Sequence, residues 1–408
     1  KKISFLKEVG MTYIRQNTII DNVNRQFKKD KLPSELQLDK GGVCNGLSNV
    51  YAFYALQGKE NHFKNILSII ARGDFKHANV DQDELHQFAY RVLIAHNPSE
   101  YLPHLTQARA IETLKIGGKP IKSIFDFSLA TSRRNWAKII EEINLEENEA
   151  MLVSSADHAV AVRKEQNGYK VYDPNYANGF KSFKNASALV SELHHNVFNY
   201  FIFGNLGLSV SVVRDPRAKK RSHPLPNVYD LYQTHLNSKN PNATIIGDLF
   251  PSTKFNTLKE AINTTHDKDA IEYLLNKIKL TEKEEYAAAI RAVSYNNVEA
   301  LSLLVPKIEQ QDDSNKNNMK GLFLHSLKNG RLEVFKVLEK QLQECFKNLN
   351  TALLIKHAAQ GGNPTLLKTF IANVESHYDN HPSHFFVEDQ WKKLTTEKTK
   401  LKANVHEI

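Results

Sequence analysis

Cysteine is scarce in this sequence, with two in 408 residues, at positions 44 and 345. Two thiols 301 positions apart argue against a disulfide framework, so oxidative secretion is disfavoured and a reducing compartment is expected. Long apolar runs are missing too: none reaches the roughly 18 residues that a membrane span needs. The opening stretch KKISFLKEVGMTYIRQ carries no long apolar segment, so neither an anchor nor a Sec-type leader is expected in it. Charge of one sign is not concentrated. The net charge of +9 is a diffuse lysine-rich excess that implies no nucleic acid. With 41% hydrophobic and 24% charged residues, no half of the chain has the composition of a disordered segment. A length of 408 exceeds one ordinary core and predicts two or three domains.

Against that scarcity, the placement of Cys44 stands out. In GGVCNGLSNVY it follows a glycine pair and opens an apolar run (Leu47, Val50, Tyr51, Phe53, Tyr54, Leu56) with helical spacing. A thiol at a helix N-terminus faces unpartnered N–H groups and the positive end of the macrodipole, which favours a thiolate. The alternative is a small buried hydrophobe, as most free cysteines are.

Helical spacing continues through NHFKNILSIIA, DELHQFAYRVLIAH and HLTQARAIETLK, and again in RRNWAKIIEEI. The texture then changes to short strands, AMLVSSA, HAVAVR, YKVYD and NYFIF, which predicts an α+β domain with an antiparallel sheet. In DHAVAVRKEQNGYKVYDPN, His158 heads one strand and Asp173 ends the next. A turn centred between Glu165 and Gln166 gives a pair sum of 331 and sets His158 directly opposite Asp173; a strict Asn167-Gly168 turn gives 335 and separates them. If paired, Asp173 orients one imidazole nitrogen and leaves the other for Cys44, the minimum equipment for attack on an acyl carbon.

The order Cys44, His158, Asp173, with Gly-Val-Cys at a helix start, His before an apolar strand and Asp closing the next, resembles the YopT and AvrPphB group of papain-like cysteine peptidases over about residues 30 to 205. The resemblance implies Cys44 as nucleophile, His158 as general base and Asp173 as orienting acid. It also implies an oxyanion hole from the Cys44 N–H and an upstream glutamine, for which Gln37 is the candidate and Asp39 and Asn45 the neighbouring polar alternatives.

Residues 206–256 read as a linker or insert, because RDPRAKKRSHPLP (214–226) holds three prolines and five basic residues; a nuclear import patch is the other reading. Beyond it, AINTTHDKDAIEYLL, RAVSYNNVEALSLL, LHSLKNGRLEVFKVL and KHAAQGGNPTLLKTF align on Asp267, Asn296, Gly330 and Gly362, in steps of 29, 34 and 32. Paired helices at this period resemble ankyrin repeats over 257–375, with a generic helical stack as the alternative. His325 then serves structure. Residues 376–408 read as a cap, in which Pro382 argues against a metal site made of His377, His381 and His384.

The expectation is therefore an α+β papain-like peptidase domain, 1–205, followed by an all-α ankyrin-repeat array. No metal or cofactor is expected. The joint pattern resembles the ankyrin H type of effector that intracellular bacteria deliver by type IV secretion, which implies a cysteine protease acting on a host protein in the host cytoplasm, with nuclear entry an option. Deamidation or transglutamination by the same triad, and a catalytically silent binding scaffold, are the alternatives.

Overall fold

A computed structural model of the chain describes residues 13–76, 81–155, 157–200, 204–242, 244–246, 254–310, 315–339 and 351–380. The chain divides into two compact units, Lys1–Tyr101 with Leu105–Lys279, and Leu102–His104 with Leu280–Ile408.

The first unit opens with helices α1 (Gln16–Lys29), α2 (Cys44–Leu56), α3 (Glu60–Arg72) and α4 (Gln82–His96). Every residue of α2 from Gly46 to Leu56 is buried, so this helix is core on all sides and not merely along one stripe. It lies tightly on α4. A Cβ at Gly46 would stand 2.2 Å from the carbonyl oxygen of Val92, which only glycine avoids.

A six-stranded antiparallel sheet follows, built from β1 (Lys122–Ser132), β2 (Glu149–Ser154), β3 (Ala159–Glu165), β4 (Gly168–Tyr172), β5 (Phe180–Phe183) and β6 (Asn205–Arg214), with α5 (Arg133–Ile143) and α6 (Ala186–Glu192) between strands. The strand order is β1-β6-β2-β3-β4-β5. One face carries Phe127, which packs on Trp136 of α5 and, with ring centroids 4.8 Å apart, on Tyr232 of α7 (Val228–His235). The other face receives α2, whose Ser48 donates to the Ala159 carbonyl and whose Tyr51 meets Tyr172, Phe63 and Phe180 in one aromatic cluster. Central strands covered on both faces are buried residue after residue, which is why Ala159–Val162 and Leu206–Val210 show no alternation of burial.

Two sequence expectations change, and a third falls largely outside the described residues. The segment read as a linker, 206–256, opens with most of β6 (Asn205–Arg214), in the interior of the sheet between β1 and β2. Its basic stretch is turned inward at two points: Arg214 and Arg221 both pair with the fully buried Glu149, at 3.2 and 2.9 Å, and Arg217 pairs with Asp215. Composition suggested solvent exposure; the buried carboxylate overrode it. Of NYFIF, read as a strand, residues 201–203 lie outside the described residues. Finally, the first of the four aligned repeats, α8 (Thr257–Thr264) and α9 (Lys268–Lys277), belongs to the first unit, so the division falls after Lys279 and not near 256. The Thr257 hydroxyl accepts from the Ala130 N–H, the Thr264 hydroxyl bonds Ser128, and Phe255 packs against Gly207.

The second unit is helical: α10 (Glu282–Ser294), α11 (Val298–Glu309), α12 (Asn315–Lys328), α13 (Leu332–Leu338), α14 (Thr351–Gln360) and α15 (Pro364–Asn380). Within each successive pair the turn holds a residue in the left-handed region, Asn296, Gly330 and Gly362. Neighbouring turns touch through backbone, since a Cβ at Gly330 would meet the Gly361 carbonyl at 2.2 Å. His325 bonds the Ser294 hydroxyl across helices α12 and α10 at 2.8 Å, and burial lowers its pKa. No helix among the described residues is long and apolar enough to cross a membrane, and no cluster there could hold a metal. Cys345, His381 and His384 lie outside the described residues.

The division predicts where the chain tolerates truncation. Leu258, Ile262 and Ile271 are buried in the first unit, and each such burial contributes about 1.5–3 kcal/mol. Their joint loss rivals a typical total stability of about 5–15 kcal/mol. A chain ending at Lys279 should keep cooperative thermal unfolding by circular dichroism. One ending at Asn256 keeps Phe255 but loses α8, and should unfold at a markedly lower temperature or without cooperativity.

Candidate active site

Cys44 is the first residue of α2. Its N-cap, Val43, offers no side-chain cap, so the N–H groups of the first turn are left for something else. The thiol is part-exposed.

His158 and Asp173 lie just outside the two strands that their hairpin joins. The observed register pairs Glu165 with Gly168 and Ala161 with Tyr172, a sum of 333, with Gln166-Asn167 as the two-residue turn. His158 is therefore not directly opposite Asp173, as the sum of 331 required; the two are diagonal neighbours. A shift of two preserves the face where a shift of one would have reversed it, so the side chains still meet. The imidazole Nε2 is 2.9 Å from Asp173 Oδ1. Cys44 is the ring's other polar neighbour and raises its pKa; with Nε2 engaged by the carboxylate, Nδ1 is the nitrogen left for the thiol.

Burial by itself would lower the His158 pKa. The hydrogen bonds to Asp173 and Cys44, together with the charges of those groups, outweigh it and push the imidazole from 6.5 up to about 10. Phe198 stands edge-on to the ring at 6.1 Å. Asp173, 2% exposed, is held by its own turn: Oδ1 also accepts from the Asn175 N–H at 2.8 Å, and the Asp173 carbonyl accepts from the Tyr176 N–H.

Gln37, the oxyanion candidate, closes a short 3-10 turn, Ser34–Leu36, next to Leu38, whose N–H and C=O are both bonded by the buried Asn24 side chain. It is half-buried, and its carboxamide makes no hydrogen bond to another described residue. The alternatives are engaged elsewhere, Asn45 donating to the Ala95 carbonyl and Asp39 accepting from the Gly41 N–H.

Sequence reasoning missed Gln16. Its Oε1 accepts from the Val43 N–H at 3.0 Å, and its Nε2 donates to Asn175 Oδ1 at 2.6 Å. The backbone adds to this, with Gln16 N–H donating to Pro174 and Ile14 N–H to Ala177. A closed circuit results, from Val43 through Gln16, Asn175, Asp173 and His158 to Cys44. Nothing in the residues around position 16 signals this, because the partners are 27 and 159 positions away. Chemically, the arrangement presents a thiol, a base oriented by a buried acid, and first-turn N–H groups that no N-cap side chain occupies, which is what attack on an acyl carbon and stabilisation of its oxyanion require.

Two outcomes follow. The folded-state pKa of His158 lies above its unfolded value, so its stabilisation is complete below about 6.5 and is lost as pH rises through about 10. Imidazole NMR resonances should accordingly show a charged ring at pH 8, Cys44→Ala and Asp173→Asn should each lower that pKa, and the stability gap between wild type and His158→Ala should shrink from pH 7 to 10. Gln16→Ala should slow Cys44 alkylation on the order of tenfold, since misplacing reacting groups by about 1 Å can cost up to 100-fold. Gln16→Glu, which keeps the acceptor for Val43 and loses the donor to Asn175, should fall between. A lower melting temperature with unchanged alkylation and His158 titration would show that Gln16 serves stability alone. Compared with models of protein families, with curated proteins and with solved structures, the chain matches none.

Proposed function

We propose that the first unit is a thiol-dependent acyl-transfer enzyme, most simply a papain-like cysteine protease of the YopT and AvrPphB kind. The observation that carries this reading is the His158 side chain, 9% exposed, joined to Asp173 through Nε2 at 2.9 Å, with Cys44 as a second neighbour that raises its pKa. In the proposed reaction Cys44 sulfur attacks the carbonyl carbon, the oxyanion is received by the Cys44 N–H with Gln37 as the side-chain candidate, and the imidazolium of His158 protonates the leaving nitrogen. Water, deprotonated by His158, then releases the acyl group. Asp173 holds the tautomer and supports the ring's charge without taking the proton.

The second unit is proposed to be an ankyrin-like array that selects a protein partner. Supporting this are three successive helix pairs whose left-handed turn residues, Asn296, Gly330 and Gly362, recur at 34 and 32 positions. An effector delivered into a host cell, with a host protein as substrate, is the setting that the joint resemblance suggests.

A thiol-reactive acyl electrophile tests the chemistry. Wild-type protein should be labelled at Cys44 at pH 6, and His158→Ala should lose most of that labelling. Cys345, the remaining thiol in the sequence, is the internal reference. Equal rates at Cys44 and Cys345 would refute an activated site and leave a binding scaffold. Intact mass of a captured partner separates the chemical outcomes: proteolysis splits the chain, whereas deamidation adds about 1 Da.

A further inference from the structure

A cavity of about 60 Å³ adjoins the residues that follow Cys44 and His158 in the chain. It is lined by Asn45, Ser48, Asn49, Ser154, Ser209 and Thr264 among others, and none of its lining residues is charged. Asn45 and Ala159, each one residue from a member of the pair, form part of its wall. Several lining side chains, among them Asn45, Ser154 and Thr264, keep some solvent exposure.

Most of the polar groups here are already engaged. The Ser48 hydroxyl donates to the Ala159 carbonyl at 3.0 Å, and the hydroxyls of Ser209 and Thr264 are joined through Ser128 at 2.7 and 2.9 Å. Ser154 keeps some solvent exposure; the buried exception is Asn49. It is 2% exposed, and its Oδ1 is buried with no hydrogen-bond partner among the described residues. The amide orientation is chemically determined: Nδ2 faces two acceptors, the Asn45 carbonyl at 2.8 Å and Asn45 Oδ1 at 3.1 Å, so a flip would set oxygen against oxygen. A buried acceptor without a donor is costly and calls for one from outside.

We infer that this cavity is a substrate side-chain pocket of the proposed acyl-transfer site, and that it takes a small, neutral side chain bearing an N–H or O–H donor, the carboxamide of asparagine being the best match. The size excludes aromatic and long aliphatic side chains. The absence of a carboxylate in the lining disfavours lysine and arginine, whose charge would be desolvated without a counter-ion. Asn49 is the specificity-determining residue. The inference rests on the acyl-transfer reading and adds to it the class of substrate.

Dipeptidyl fluoromethyl ketones, with each of the two side chains varied in turn among Asn, Ser, Leu, Phe and Lys, test this on the full-length chain. Each second-order rate for Cys44 modification is divided by the same protein's iodoacetamide rate, which removes general effects on the thiol. At one position the Asn and Ser probes should react about tenfold or more faster than the Leu, Phe and Lys probes, as expected where a site's polar group must be satisfied. Asn49→Leu should abolish or invert the preference. Should that variant fold poorly, Ser154→Val, which narrows the cavity from the sheet side, should disfavour the Asn probe selectively. Equal normalised rates across the probes, or a preference that survives both substitutions, would overturn the pocket and leave it a water site. A Cys44 that reacts with no electrophile faster than Cys345 does would instead remove the acyl-transfer reading, and the pocket with it.

Discussion

A largely buried imidazole joined to a buried carboxylate is the constraint around which the first unit is arranged. Neither partner is stable alone in that position, because a charge without a counter-charge in a low-dielectric interior is expensive. His158 and Asp173 must therefore arrive together, and the hairpin of β3 and β4 is what delivers them: one heads its strand, the other follows the end of its own, and their diagonal offset leaves 2.9 Å between Nε2 and Oδ1. The acid is pinned in turn by the Asn175 N–H, and the turn that carries it is pinned by the backbone of residues 14 and 16.

The third member comes from the other side of the core. Helix α2 is buried from Gly46 to Leu56, so its N-terminus cannot move without disturbing the packing of α4 at Gly46 and the aromatic cluster of Tyr51, Phe63, Tyr172 and Phe180. Tyr172 precedes Asp173, which means that one apolar cluster positions both the helix that carries the thiol and the strand that carries the acid. Gln16 adds a polar tie between the same two places. Rigidity of this kind is what the acyl-transfer chemistry proposed above would need in order to hold thiol, imidazole and carboxylate in place.

Legibility differed from element to element for physical reasons. The start of α2 at Cys44 was readable because glycines followed by helically spaced apolar residues form a local signal. The facing of His158 and Asp173 was readable only in parity: the turn proved to be Gln166-Asn167, the register sum 333, and the face survived because side-chain period in a strand is two. The stretch 214–221 was misread because proline and basic residues usually mark solvent, and no local pattern reveals that Glu149 waits in the core for Arg214 and Arg221. Helices α8 and α9 resemble their successors in sequence, yet lack the left-handed turn of the later pairs and dock on the sheet through Thr257 and Thr264.

By itself, the sequence determined the local and periodic features: an α+β order, a thiol at a helix start, a histidine and an aspartate at the ends of one hairpin, and recurring helix pairs. These depend on neighbours within a few positions, where propensity and spacing act. The tertiary structure alone decided which strand lies in the sheet interior, where the first unit ends, that Gln16 ties the turn before Cys44 to the turn after Asp173, and that Asn49 faces a cavity with an unanswered acceptor. Those depend on partners far apart in the chain, and such pairings are chosen by which buried polar groups find one another once the apolar core has closed.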